Sequence, residues 1–177
     1  MPRIPYRADG DPAIAELVAA IRARRGGKLL NLDRMLLHSP PYARGWNALL
    51  GAVRRELELS PRIRELAICA VAKLNRAEYE WQQHAPEFLA AGGRQDQLDA
   101  LEEVDAACTD ARFDEAEQAA LALTIEMTRT VAVSDETFAR ARAHFGERQR
   151  VELVGTIATY NMVSRFLVAL DVTPEGE

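Results

Sequence analysis

An acid and a histidine stand four residues apart in the segment Tyr79–His84, where Glu80 precedes His84 by about one helical turn. A further acid, Glu65, comes in the segment before. Residues four apart share one face of a helix, and an imidazole beside carboxyl groups can carry protons near neutral pH. The same spacing occurs in solvated helix pairs worth about 0.2–0.5 kcal/mol. The spacing alone therefore indicates either general acid–base chemistry or an ordinary helix pair.

Metal and thiol chemistry have little support in these residues. His38 and His144 lie in other segments and no third ligand accompanies His84, so we expect no metal site. The two cysteines, Cys69 and Cys108, are far apart and form no CxxC pair. We expect both to be small buried residues in a reducing compartment.

The composition is that of a globular protein. The 177 residues are 48% hydrophobic and 28% charged, with a net charge of −5, so we expect one domain over residues 1–177. Basic residues are scattered, which argues against nucleic-acid binding. The N-terminus has no apolar run, which predicts no secretory signal and a cytoplasmic location. Residues 151–170 could span a bilayer by length, but Glu152, Asn161 and Arg165 would be costly there, so we expect no membrane association.

The elements that must position these residues read as helices throughout, since no segment alternates convincingly with period two. Ser-Pro pairs predict helix starts at Ser39 and Ser60, and Asn75 with Glu78 predicts a capping box that opens the helix carrying Glu80. We expect Pro86 to bend that helix. Gly26–Leu30 is the expected irregular region. The other predicted helices are Asp11–Arg24, Gln95–Glu103, Asp114–Thr130, Asp135–Phe145 and Arg148–Leu170.

Three stretches resemble the carboxymuconolactone decarboxylase family. They are Arg64–Ile68, then Ala77–Trp81 with His84, and near the C-terminus Glu152–Val154 with Tyr160–Arg165. The resemblance covers about residues 30–172. It implies an all-α fold, the helical bundle of the alkylhydroperoxidase D-like (AhpD-like) proteins, and assembly into homotrimers or hexamers with sites near subunit boundaries.

The chain departs from the peroxidase branch that this family is related to. That branch implies a CxxC pair followed by a histidine, with a glutamate on the preceding helix. Glu65 and His84 match the glutamate and the histidine, whereas Ala77 and Glu80 occupy the cysteine positions. Peroxide reduction of that kind needs a thiolate and a resolving thiol, so dithiol peroxidase activity is disfavoured. The C-terminal stretch resembles the closing helix of the family's cofactor-free branch.

The resemblance implies an acid–base enzyme without a cofactor, a decarboxylase-like lyase or isomerase acting on a small carboxylated lactone or similar carbonyl compound. His84 is the expected proton carrier, with Glu80 and Glu65 orienting it or exchanging protons with it. Hydrogen bonds to substrate oxygen are expected from Tyr79, Tyr160 and Asn161, and either Arg165 or Arg44 is expected to hold a substrate carboxylate or to form an ordinary salt bridge.

A non-catalytic alternative stays open at this point. The same residues could form a buried polar network in an oligomer that binds a small ligand or has a structural role. A pocket lined by Glu65, Glu80 and His84 would favour the enzyme, and a sealed and fully paired cluster would favour the structural role.

Overall fold

The computed structural model describes residues 1–176, and every regular element in that range is a helix. The all-α fold class predicted from the sequence is confirmed. The chain forms two compact units. One unit comprises Met1–Glu56 with the segment that begins at Leu167, and the other comprises Leu57–Phe166. The single domain expected for residues 1–177 stays a prediction.

The first unit contains three α-helices before residue 57. A 3-10 turn at Pro12–Ile14 leads into α1 (Ala15–Arg24), and α2 (Asn31–Leu36) and α3 (Pro40–Arg55) follow. Asp11 caps the turn, because its side chain accepts a hydrogen bond from the backbone of Ala13 at 2.9 Å. The short helix α2 was not predicted. It is six residues long and follows the expected irregular stretch, so it shows too little periodicity to be recognised.

The second unit is built around a buried helix, α4 (Pro61–Leu74). Every residue of α4 from Glu65 to Ala72 is buried, which is typical of a helix surrounded by others. The neighbouring helix α5 (Glu78–Ala90) packs against α4. The remaining helices are α6 (Gln95–Ala100), α7 (Val104–Ala107), α8 (Glu115–Thr130), α9 (Asp135–His144) and α10 (Glu147–Leu170), whose residues up to Phe166 belong to this unit.

Helix caps explain most of the boundaries in the second unit. The Ser60 hydroxyl accepts a hydrogen bond from the backbone N–H of Ile63 at 3.2 Å, so α4 starts as predicted. Asp114 and Glu117 form a reciprocal capping box at the start of α8. At the end of α5, Gly92 has a φ of +92°, a conformation that glycine adopts without strain.

The capping box predicted at Asn75 and Glu78 is wrong. Asn75 is the C-cap of α4, while α5 has Ala77 as its N-cap with no side-chain hydrogen bond. The chain turns sharply between the two helices, because the N–H of Ala77 bonds to the carbonyl of Ala72 at 2.8 Å and Arg76 takes a left-handed φ of 54°. Asn75 therefore belongs to the end of the first helix rather than to the start of the second.

Two further expectations concern exposure. Cys69 is buried as predicted, but Cys108 is only partly buried, because it lies at the C-cap of the four-residue helix α7, where its thiol bonds to the carbonyl of Asp105.

By length and composition, α10 could cross a bilayer, with a mean hydropathy of 1.4, and half of its apolar window is buried inside the protein. Core helices pass the same test.

Candidate acid–base site

Helices α4 and α5 bring Glu65 and His84 into direct contact. Glu65 Oε2 lies 2.6 Å from His84 Nδ1, and the two residues are only 2% and 5% exposed. Glu65 Oε1 also accepts a hydrogen bond from Arg64 Nε at 3.2 Å. An ionised carboxylate only accepts hydrogen bonds. When Glu65 is ionised, Nδ1 of His84 is therefore the donor, and Nε2 is the nitrogen that can take up and release a proton.

Glu80 is the second carboxyl of the site and is more deeply buried, at 1% exposed. Its Oε1 lies 3.0 Å from Ser164 Oγ, and its Oε2 has no hydrogen-bond partner among residues 1–176. Burial raises the pKa of the Glu80 carboxyl well above its ordinary value of 4.5, and the hydrogen bond from Ser164 opposes this only in part. The site therefore favours Glu80 as a neutral acid.

Helix α10 supplies the opposite wall with residues one turn apart. The ring of Tyr160 meets the His84 imidazole edge to face, with ring centres 4.9 Å apart and planes at 86°. Four residues later, Ser164 contacts Glu80. Sequence reasoning identified Tyr160 but missed Ser164, although its spacing from Tyr160 is the signal that could have found it.

The predicted substrate-binding residues fall on different faces. Asn161 follows Tyr160 and is therefore rotated by about 100° around α10. Its side-chain amide bonds to Thr128 Oγ1 at 2.9 Å and to the side chains of Asn75 and Arg165. These contacts use both ends of the amide. The substrate-binding roles of Asn161 and Arg165 stay predictions.

The other two residues predicted to bind substrate are Tyr79 and Arg44. Tyr79 is buried on α5 at 5% exposed, directly before Glu80. Arg44 lies exposed on α3, in the other unit. Their predicted roles toward a substrate stay predictions.

Cys69 lies on α4 one turn after Glu65 and is fully buried. Burial raises the pKa of its thiol strongly, and the charges of Glu65 and Glu80 raise it further. The thiol is thus held in its protonated, unreactive form. No group of three His, Cys, Asp or Glu side chains within residues 1–176 is arranged to hold a metal ion.

A groove of about 450 Å³ opens beside the start of α5. Its wall includes Ala77 and Trp81, and the Lys73 ammonium lies 3.9 Å from the centre of the Trp81 ring. Glu65, Glu80 and His84 are not among its lining residues. The groove therefore adjoins the helix that carries the acid–base residues without exposing them.

Residues 40–126 match the model of the Carboxymuconolactone decarboxylase family. The chain belongs to the carboxymuconolactone decarboxylase family. This segment contains Glu65, Glu80 and His84, and it ends before the residues of α10 that complete the site. The family predicted from the sequence is thereby confirmed. None of the curated proteins matches the chain.

Several solved structures have the same fold as this family member. An uncharacterized peroxidase-related protein from Silicibacter sp. TM1040 has a TM-score of 0.82 at 18% identity, over 99% of this chain and 92% of that one. A peroxidase-related protein from Ralstonia eutropha JMP134, described as an alkylhydroperoxidase AhpD core, has a TM-score of 0.82 at 17% identity, over 99% and 93%. The debrominase Bmp8, bound to 2,3,4-tribromopyrrole, has a TM-score of 0.79 at 18% identity, over 98% and 91%. At these identities the likeness establishes the AhpD-like fold alone.

Proposed function

We propose that this protein is a cofactor-free acid–base enzyme that decarboxylates or isomerises a small carboxylated lactone or similar carbonyl compound. The observation that carries the proposal is the contrast between two buried carboxyls. Glu65 is paired with Arg64 and His84, whereas within residues 1–176 Glu80 has a serine hydroxyl as its one hydrogen-bond partner and favours its neutral form. Carboxyls in such different environments can serve different roles in one reaction.

The chemistry needs a proton carrier and a neutral acid. When a carboxylate leaves as carbon dioxide, the carbon–carbon bond breaks and its electron pair is delocalised onto a neighbouring carbonyl. A proton must then be delivered to carbon, which is the role proposed for His84 in its imidazolium form; the neutral ring that remains takes up a proton from water before the next cycle. Glu65 holds the imidazole ring and stabilises its charged form, as a carboxylate does behind a catalytic histidine. Glu80 donates a hydrogen bond or a proton to the substrate oxygen on which charge develops.

One structural neighbour supports a small organic substrate. The debrominase is described in complex with 2,3,4-tribromopyrrole, a small ring compound. Two neighbours are described as peroxidase-related. Dithiol peroxide reduction needs two thiols within reach of each other, and this chain has Ala77 and Glu80 at those positions with Cys69 held protonated. We therefore do not propose a peroxidase.

A non-catalytic role is the second candidate, and burial of the cluster favours it. Glu65, Glu80 and His84 are between 1% and 5% exposed, which suits a polar network that specifies packing in an oligomeric binding or structural protein. For either role we propose a homotrimer or hexamer, a cytoplasmic location and a small-molecule partner.

The test is to incubate the purified protein with γ-carboxymuconolactone while following carbon dioxide release and, by NMR, any rearranged product. His84→Asn should lower the rate by about 10²–10⁴-fold. His144→Asn, a matched change at an exposed histidine of α9, should leave it unchanged. Equal rates for wild type and a folded His84→Asn variant would refute the role of His84. A lack of turnover across a panel of carboxylated lactones would favour the non-catalytic role.

A further inference from the structure

The Ser164 hydroxyl sits between two oxygen atoms. Ser164 is fully buried on α10, with its Oγ 3.0 Å from Glu80 Oε1 and 2.9 Å from the backbone carbonyl oxygen of Tyr160. Each distance is that of a hydrogen bond. A serine hydroxyl has one proton to donate and two lone pairs to accept with, while a carbonyl oxygen only accepts.

Both contacts can be hydrogen bonds at once in only one protonation state of Glu80. Ser164 must donate to the Tyr160 carbonyl, so Glu80 must donate its own O–H proton to Ser164 Oγ. If Glu80 is ionised, it can only accept, and Ser164 must turn its O–H toward the carboxylate and give up the carbonyl. That turn costs little, because a carbonyl inside a helix still accepts the backbone N–H four residues later.

The other groups around Glu80 leave to Ser164 the role of hydrogen-bond partner in both protonation states. Across from Glu80, α4 contributes Glu65 and the protonated Cys69, whose thiol pKa responds to the charges of both carboxyls. His84 lies one turn along α5, and Tyr160 faces it from α10. Within residues 1–176, the structure gives Glu80 no cationic partner to stabilise a negative charge.

We propose that Ser164 is a positioning residue that serves Glu80 in both protonation states: it accepts the proton of the neutral acid and, by rotating its hydroxyl, donates to the carboxylate once that proton has been transferred. The purpose of this arrangement rests on the proposed function, whereas the experiment that tests it needs no enzymatic activity. A residue that must lose and regain a proton in each cycle needs a partner of this kind. A carbonyl in its place would disfavour the carboxylate, and an ammonium group would disfavour the neutral acid.

The experiment is a ¹³C NMR titration of protein labelled at the glutamate side-chain carboxyl, with a Glu80→Gln sample to identify the Glu80 resonance. Ser164→Ala removes both the acceptor for the neutral acid and the donor to the carboxylate. Because a hydrogen bond to a charged group is the stronger of the two, the Glu80 midpoint should move up by about one pH unit, a tenfold change in proton affinity. Ser164→Thr keeps the hydroxyl and should restore the wild-type midpoint. Thr124→Val is the matched control, since Thr124 is buried and its hydroxyl bonds only to the carbonyl of Ala120, at 2.7 Å.

The outcomes separate the two proposals. An unchanged midpoint in Ser164→Ala, or an equal shift in Thr124→Val, would overturn the role of Ser164. A wild-type Glu80 that never ionises while the protein stays folded would overturn it as well, because Ser164 would then never meet a carboxylate. None of these results needs a substrate. A protein that titrates as expected but turns over no lactone would instead overturn the proposed function.

Discussion

Replacing Glu80 by Gln is expected to make the protein more stable than wild type, by an amount that grows with pH. The amide has nearly the shape of the neutral acid, and its N–H can donate to Ser164 Oγ, which lies 3.0 Å from Glu80 Oε1, as we propose for the O–H of the acid. Unlike the carboxylic acid, the amide does not ionise, so it is neutral at every pH of the experiment. The substitution therefore removes the titration while leaving the packing around residue 80 in place.

The sign and size follow from proton linkage. The pKa of Glu80 is raised in the folded protein, so above the ordinary value of 4.5 the folded chain keeps a proton that the unfolded chain has released. The free energy of unfolding of wild type then falls by about 1.4 kcal/mol for each pH unit, until Glu80 ionises in the folded state. Between pH 5 and pH 7 the variant should therefore gain stability relative to wild type, at up to about 1.4 kcal/mol for each pH unit until Glu80 ionises in the folded protein.

Urea unfolding at pH 5, 6 and 7, followed by tryptophan fluorescence, measures this difference. Glu87→Gln is the matched control, because Glu87 lies on the same helix but is exposed, so loss of its charge should change the free energy of unfolding by no more than about 0.5 kcal/mol. A gap between wild type and Glu80→Gln that stays constant from pH 5 to pH 7 would refute the assignment of Glu80 as a buried neutral acid.

Four further changes test the packing and the caps by thermal unfolding. Gly93→Ala should destabilise the protein by about 1–3 kcal/mol, because its new Cβ would lie 2.3 Å from the buried ring of Phe88. Gly155→Ala on α10 should stabilise it by about 0.5–1 kcal/mol, because nothing lies within 4 Å of the new Cβ. Matching effects at the two sites would contradict this reasoning. Arg76→Gly should stabilise by about 0.5–1 kcal/mol because it relieves a φ of 54°, and a lower melting temperature would show that the arginine side chain contributes more than the strain costs. Asp114→Ala should destabilise by about 1 kcal/mol through loss of the α8 cap, and an unchanged melting temperature would speak against that cap.

The long helices were predictable because each combines a periodic apolar pattern with a chemical start signal. Ser60 before Pro61 and Asp114 with Glu117 are local features, and both caps form as expected. The pairing of Glu65 with His84 could be anticipated only through the family motif. Spacing within α5 shows that Glu80 and His84 share a face, but it does not show that His84 meets a residue of α4.

What escaped prediction depends on contacts between helices. Asn75 has the right neighbours for an N-cap, yet the tight turn at Arg76 leaves it at the end of α4. Ser164 and Asn161 look equally suited to a site from sequence alone. The rotation of α10 about its own axis decides between them, and that rotation is set by packing across the whole helix rather than by local chemistry.

Two rows of side chains on α10 limit how the length of this helix can vary. Tyr160 and Ser164 form the row that meets α5, and Asn161 and Arg165 form a row about 100° away. A single inserted or deleted residue between Glu147 and Tyr160 would turn the downstream part of the helix by that same angle and present the wrong row. Seven residues, close to two full turns, would restore the original face to within about 20°. Length variation before Tyr160 is therefore compatible with this site only in steps near whole turns.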